Sequence, residues 1–525
     1  MAEVTETLGN QKAAIKQPTP AKKTVCIDGN SLKIEDVVAV ARQGTKVELS
    51  SRGAINMEIS YQMVRTLLEE KKVVYGITTG FGKFSNVVIN KDQTEQLQKN
   101  LIMSHATGVG NPLPTEVVRG IMLLRANALT KGHSGIRPEV VEVLLGMLNK
   151  GVHPLVPEKG SVGSSGDLAP LSHVVLVMIG LGEAEYQGTR MPGKAAMEKA
   201  GIPVVQLQAK EGLALINGTQ VMTAIASLAT YDAIKLADSA DIIGAMTVEA
   251  LEGIADAYDE KIQKVRPHRG QSESAAHLRK LVAESKILAE AKHGRVQDGY
   301  SLRCMPQVHG ASRDAIRYVQ SVVEVEINSV TDNPLLFPAE GEVISGGNFH
   351  GQPLALAMDF LGIALAELAN ISERRVERLV NPQLSSGLPA FLTEKGGLNS
   401  GYMIAQYTAA SLVSENKVLA HPASVDSIPT SGNQEDHVSM GTIAARKARA
   451  ILENAQYVLA IELLCAAQGI DLRGNTPGKG TQEAYNAIRQ HIPKLQEDRV
   501  AYLDIELAVK ILRGNVLLDA VGDLA

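Results

Sequence analysis

The chain has 525 residues, 45% of them hydrophobic and 21% charged, with a formal net charge of −5 at pH 7. That length and apolar content support a large core, and the mildly acidic balance leaves no broad basic field, which argues against nucleic acid as the main partner. Cys26, Cys304 and Cys465 are odd in number and far apart, so no disulfide framework is expected and a reducing compartment suits the chain.

The absence of tryptophan and an aromatic content of 3% predict aliphatic, helical packing. The N-terminus has no signal-peptide-like apolar segment and no run of about 18 uninterrupted apolar residues occurs, so the expectation is a cytoplasmic chain that does not span a membrane. Residues 1–24, polar and interrupted by Pro18 and Pro20, read as a flexible tail. Residues 25–203 form a loop-rich mixed region in which Gly and Pro repeatedly break short apolar segments. Within it, VVYGITTGFG sets Tyr75 before a turn marked by Gly76, Gly80 and Gly82, and NLIMSHATGVG carries the pair Ser104-His105.

The densest signal is GSVGSSGDLAPLSH, Gly160 to His173. It lacks the Lys-Ser/Thr ending of a phosphate-binding loop and the GxGxxG spacing of a dinucleotide fingerprint. A tight turn using glycine at positive φ is one reading. Self-modification is another: the Gly166 nitrogen attacks the Ser164 carbonyl carbon, and loss of water from the ring and from the Ser165 side chain leaves an exocyclic methylidene. The shifted frame would use the more hindered nitrogen of Ser165, so Ser164-Ser165-Gly166 is the frame that fits. The product would be an electrophile that the ordinary side chains do not provide.

Residues 204–525 read as a long-helix bundle with a C-terminal helical region. Leu354, Met358, Leu361, Leu365 and Leu368 recur at alternating steps of four and three, marking one helix face, and 309–330, 401–420 and 440–468 read similarly. EGLALINGTQ places Asn217 beside an apolar run. VQDGYSLRCMPQ carries Gln297, Tyr300 and Arg303, with Gly299 between them. SVTDNPLLF contains Asn333, and ISGGNFHGQP contains Phe349 and His350. Glu415 falls on a predicted helix. Glu435, Asp436 and His437 are adjacent and read as a solvated or capping loop, because neighbouring residues seldom converge on one metal. GNTPGKGT, Gly474 to Thr481, imitates a phosphate loop with the wrong spacing and reads as a surface loop.

These motifs together resemble the aromatic amino acid ammonia-lyases and aminomutases, which build 4-methylideneimidazol-5-one (MIO) from an Ala-Ser-Gly triad. Here Ser164 stands in the first position and should leave a hydroxymethyl on the ring. The resemblance implies a mainly α fold of fumarase/aspartase-like architecture, an elongated helix bundle with a smaller mixed N-terminal region. It also implies a homotetramer whose active sites combine residues from more than one chain, with no metal and no external cofactor. By the same resemblance Tyr75 is the catalytic acid/base and Tyr300 an alternate one, Asn217 hydrogen-bonds the ring, and Arg303 binds the substrate α-carboxylate. Gln297, Asn333 and Phe349 join the substrate site, Phe349 as an aromatic wall and Asn333 on the carboxylate side. Ser104-His105 is similar to the pair in family members acting on histidine, and His105 with Glu415 would clamp an imidazole. The expected reaction is loss of ammonia from L-histidine to give trans-urocanate. Action on tyrosine or phenylalanine, 2,3-aminomutation, and a catalytically silent helical scaffold are the alternatives.

Overall fold

The stripe Leu354, Met358, Leu361, Leu365 and Leu368 is wholly withdrawn from solvent, as a core-facing helix face should be. The computed structural model describes residues 24–70, 72–74, 76–77, 79, 93–292 and 294–524. Tyr75 and residues 1–23 of the expected tail lie outside the described residues. Thr24, its last residue, instead pairs with Lys46 where Thr24–Ile27 and Lys46–Leu49 form a parallel ladder.

Short strands and helices alternate up to residue 203. Val152–Pro154, Glu183–Tyr186 and Thr189–Pro192 make a three-stranded antiparallel sheet, and Val109–Pro112 pairs with Pro157–Lys159. Helix α1 (Thr94–His105) ends at His105, α2 (Thr115–Thr130) is buried from Val117 onward, and α3 (Leu168–Met178) starts directly after the glycine-serine run. The short α4 (Glu211–Ile216) hands over through Asn217 to α5 (Gln220–Ala250). Periodicity did not single out α5 because it is buried on nearly every side, and a helix apolar all round has no polar face to set off a stripe.

Helices α6 (Met305–Glu326), α7 (Gln352–Val380), α8 (Met403–Leu419) and α9 (Gly441–Arg473) stand where the periodic stretches predicted them. Helices α5, α7 and α9 run parallel. They begin together at the glycine-serine run and end together: Arg473, the last residue of α9, donates to the carbonyls of Ala250, Ser385 and Ser386. At about 1.5 Å rise per residue this stave is about 45 Å long. Toward its far end Arg375 and Glu462, both fully buried, pair between α7 and α9 at 2.5 and 2.9 Å. Thr247 and Ser372 donate to the same carboxylate, so the buried charge is paired and hydrogen-bonded. By length and composition α7 and α9 could cross a membrane, yet most of each apolar stretch is buried within the protein.

The Gly474–Thr481 stretch departs from its surface-loop reading. Pro477 and Gly478 are buried, and the Gly478 N–H donates to buried Glu249 at 2.6 Å.

Candidate active site

Thr219, the residue before α5, offers no side-chain cap, and Asp167 supplies one from across the fold. Its Oδ2 accepts from the N–H groups of Val221 and Met222, both at 3.0 Å. Its Oδ1 accepts from Ser161 Oγ at 2.8 Å and from Thr442 Oγ1 in the first turn of α9. The two N–H groups would otherwise be orphans of the α5 start. Burial pushes the Asp167 carboxyl up, and the four hydrogen bonds oppose it. The run is tied down further where Gly163 O accepts from Ser439 Oγ at 2.7 Å and from Gly351 N, just before α7, at 3.3 Å. Val162 O accepts from Met440 N at 2.8 Å. The starts of α3, α5, α7 and α9 thus converge on one glycine-serine run.

Gly166 has φ +70°, and a β-carbon there would lie 2.2 Å from the Gly218 carbonyl oxygen. The Asp167 N–H donates to that same oxygen at 2.7 Å. Left-handed backbone and this close approach both demand glycine.

The two serine hydroxyls share one carboxylate. Ser164 Oγ donates to Glu435 Oε2 at 2.8 Å, and Ser165 Oγ donates to Oε1 at 2.6 Å. Thr430 Oγ1 adds a third hydrogen bond at 2.8 Å. Burial raises the Glu435 pKa, but the hydrogen bonds from Ser165, Ser164 and Thr430 and the nearby charge of His105 outweigh it and hold the carboxyl below its usual range. On the other side Asn217 Nδ2 donates to the Ser165 carbonyl oxygen at 2.8 Å, while Asn217 Oδ1 is buried without a hydrogen bond among the described residues. His105 is half-buried, with Nδ1 3.1 Å from Ser104 Oγ. Burial lowers its pKa against the pull of a backbone hydrogen bond at Leu101 and the Glu435 charge, which keeps the imidazole neutral near pH 7.

The run fits the ring that the sequence resemblance implies. Gly166 has an unhindered nitrogen in the left-handed conformation, the Ser165 hydroxyl meets a carboxylate, its carbonyl meets an amide donor, and an orphaned Asn217 oxygen waits beside them.

The expected site residues divide into two groups. Asn333 and Phe349 belong to the serine end: Asn333 Oδ1 accepts from Gly346 N at 2.8 Å, and Phe349, half-buried, precedes Gly351 by two residues. Next to it the rings of His350 and His437 stack at 5.4 Å. Gln297, Tyr300 and Arg303 lie at the other end of the stave. Gln297 is exposed, Tyr300 is 71% exposed, and the Arg303 guanidinium stands 4.6 Å over the Tyr300 ring while Nε donates to Asp298 O at 2.9 Å. Gly299 abuts the Arg378 guanidinium near the end of α7. Helical rise puts Arg378 about 40 Å from Gly351.

Glu415 is exposed on α8 and makes no ion pair or hydrogen bond among the described residues. Within one chain the carboxylate whose charge acts on His105 is Glu435, and the expected His105–Glu415 pair is not brought together there. Sequence reasoning set Glu435 aside as part of a solvated or capping loop because adjacent residues seldom converge on one metal, and nothing local pointed to its serine partners 271 and 270 positions away. Its one local signal is closeness to the entry of α9.

The family model described as aromatic amino acid lyase matches residues 32–490. A protein named histidine ammonia-lyase from Alkaliphilus metalliredigens (strain QYMF) is 62% identical over 500 residues, covering 95% of this chain and 98% of its own. The crystal structure of histidine ammonia-lyase from Trypanosoma cruzi superposes with a TM-score of 0.90 at 44% identity, covering 96% of each chain. A tyrosine aminomutase structure from Streptomyces globisporus has a TM-score of 0.90 at 38% identity, covering 95% of this chain and 98% of that one.

Proposed function

The chain belongs to the aromatic amino acid lyase family, and we propose that this carbon–nitrogen lyase removes ammonia from L-histidine to give trans-urocanate. One observation carries the reading: Ser165 is held between the Glu435 carboxylate and the Asn217 amide, with Gly166 pressed against Gly218. In the proposed maturation a bond forms from the Gly166 nitrogen to the Ser164 carbonyl carbon and two waters leave. Glu435 holds the Ser165 hydroxyl by the hydrogen bond it accepts, and that hydroxyl leaves as water together with the Ser165 α-proton. When formed, 4-methylideneimidazol-5-one supplies an electrophilic methylidene. Asn217 then withdraws electron density through the Ser165 carbonyl, and Ser164 retains its hydroxymethyl beside Glu435.

The reaction breaks the β C–H and α C–N bonds and forms a C=C bond, with no net oxidation. The β C–H is poorly acidic and ammonia leaves poorly, so the protein must supply both a base and charge stabilisation. We assign proton removal to Tyr75, with Tyr300 assisting and Glu435 as a further base at the serine end. Arg303 offers a planar fork for the α-carboxylate, joined by Gln297 and Asn333, and Phe349 forms the wall. Neutral His105 beside anionic Glu435 makes a polar pocket end suited to an imidazole.

Since Arg303 and Ser165 lie at opposite ends of the stave in one chain, we assign each site to more than one chain of a homotetramer. Three unpaired thiols support a cytoplasmic setting.

A near-ultraviolet time course with L-histidine, L-tyrosine and L-phenylalanine in parallel tests the proposal. Urocanate from histidine alone is expected. An arylacrylate or a β-amino acid from tyrosine would replace it with the lyase or aminomutase alternative, and no product from any of the three would favour the scaffold.

A further inference from the structure

Arg125 lies behind the site on α2, 2% exposed, and directly hydrogen-bonds no carboxylate among the described residues. Its Nη1 donates to Asn217 O at 2.9 Å and to Gln220 Oε1 at 2.6 Å, and its Nη2 donates to Ala214 O at 2.5 Å. The anion that acts on it, Asp332, is itself bound to buried Lys210 at 2.6 Å. Burial pulls the Arg125 pKa down to about 10, so the group is still a cation at neutral pH. A desolvated guanidinium directed at neutral acceptors is unfavourable unless it fixes something.

Those acceptors belong to the last turn of α4, to Asn217 and to the first residue of α5. Gly218 rides on the same group: a β-carbon there would fall 2.2 Å from Arg125 Nη1 and 2.3 Å from Gln220 Oε1. Gln220 is braced in turn, its Nε2 donating to Thr331 Oγ1 at 2.9 Å. The turn so gripped makes both contacts with the reactive run, Asn217 Nδ2 to Ser165 O and Gly218 O from Asp167 N.

We propose that Arg125 is a positioning residue that locks the α4–α5 turn and thereby holds the Asn217 amide on the Ser165 carbonyl. This rests on the role proposed above for Asn217. Lysine cannot replace it, because a single ammonium does not span three separated acceptors.

The test compares Arg125→Lys, Asn217→Ala, their double variant and Thr331→Val in the full-length assembled protein. Readouts are kcat and KM for L-histidine, hydrogen exchange of peptide 214–220, and the thermal midpoint. Rates are counted per chain whose 164–166 peptide has lost two waters, so incomplete maturation is not scored as slow chemistry. Asn217→Ala should lower kcat by about 100-fold or more. Arg125→Lys should lower kcat by about tenfold or more with KM held within about twofold, and speed exchange in 214–220. Added to Asn217→Ala it should change kcat by less than about twofold, since both act through one contact. Thr331→Val should give a smaller loss of the same kind.

A normal kcat in Arg125→Lys, or a loss that adds in full to that of Asn217→Ala, overturns the inference. A normal kcat in Asn217→Ala removes the reading of Asn217 itself and is seen separately. Should Arg125→Lys not fold, Thr331→Val decides, because full activity there at a native thermal midpoint also overturns it.

Discussion

Ser165 Oγ donates to Glu435 Oε1 at 2.6 Å across 270 positions of sequence. The contact joins the residue with the leaving hydroxyl to a carboxylate whose pKa burial raises and whose hydrogen bonds bring it below its usual range. Glu435→Gln keeps the shape of the side chain and removes its charge. Turnover of L-histidine should fall by about 100-fold or more, the scale of a lost acid/base group, and steady-state kinetics on urocanate formation check it.

The pocket end makes a separate prediction. His105→Leu leaves Glu435 without the imidazole that faces it and offers the substrate ring no hydrogen-bond partner. Loss of one such bond at a desolvated site costs about 1–3 kcal/mol, so kcat/KM for L-histidine should drop about tenfold or more. Unchanged histidine turnover would remove His105 from the site.

Complementation between subunits follows from the separation of Ser165 and Arg303. Ser165→Ala and Arg303→Ala should each be inactive alone, while mixed assemblies from co-expression regain activity in sites that draw one intact residue from each chain. Purified heteromers without regained activity would mean that each site is built within one chain.

Buried Arg375 and Glu462 predict a large and asymmetric stability effect. Glu462→Gln strands the Arg375 cation inside the stave and should cost about 3–5 kcal/mol, whereas the double change Arg375→Met/Glu462→Leu should cost far less. Denaturant titration of the three proteins checks the order.

His153 predicts a pH dependence. Burial, and then the Arg119 charge, lower its pKa from 6.5 to about 4, and Arg119 Nη1 lies 3.2 Å from His153 Nε2. Between those values the unfolded chain takes up a proton that the folded chain refuses. Its contribution to stability is therefore complete above about pH 6.5 and is lost as the pH falls toward 4. Thermal midpoints at pH 7 and pH 4.5 should differ less in His153→Gln, which keeps an acceptor for Arg119.

What the sequence could disclose depended on how local each cause was. The α7 stripe from Leu354 to Leu368 was readable because one face is buried and the other is not, while α5 was hidden because burial on all sides erases the period. The glycine-serine run was readable because the chemistry needs adjacent residues, and Gly166 answers to a backbone constraint that sits in the same few positions. Glu435 was not, since nothing around Gln434 and Asp436 announces partners on the far side of the chain. The predicted place of Glu415 on a helix was right, but a helix face does not say what its carboxylate meets. Arg125 carried no signal at all, an arginine in an apolar helix whose acceptors are two backbone carbonyls and the Gln220 amide oxygen, all about 90 or more positions away.

The common direction of α5, α7 and α9 has an electrical consequence. In a strictly up-and-down bundle helix dipoles cancel, but those of α5, α7 and α9 add, each placing about half a positive charge at the serine end and half a negative charge at the other, while α6 and α8 run the other way and offset part of the sum. Arg473 and Arg295 sit on the carbonyls of that second pole. The α5–α7–α9 layer is thus electrically polar, and two such layers side by side repel when aligned and attract when reversed. In the proposed homotetramer, reversal is also the orientation that would carry one subunit's Arg303 toward its neighbour's Ser165, so the polarity that gathers helix starts around the serines would favour the assembly direction that completes the proposed site.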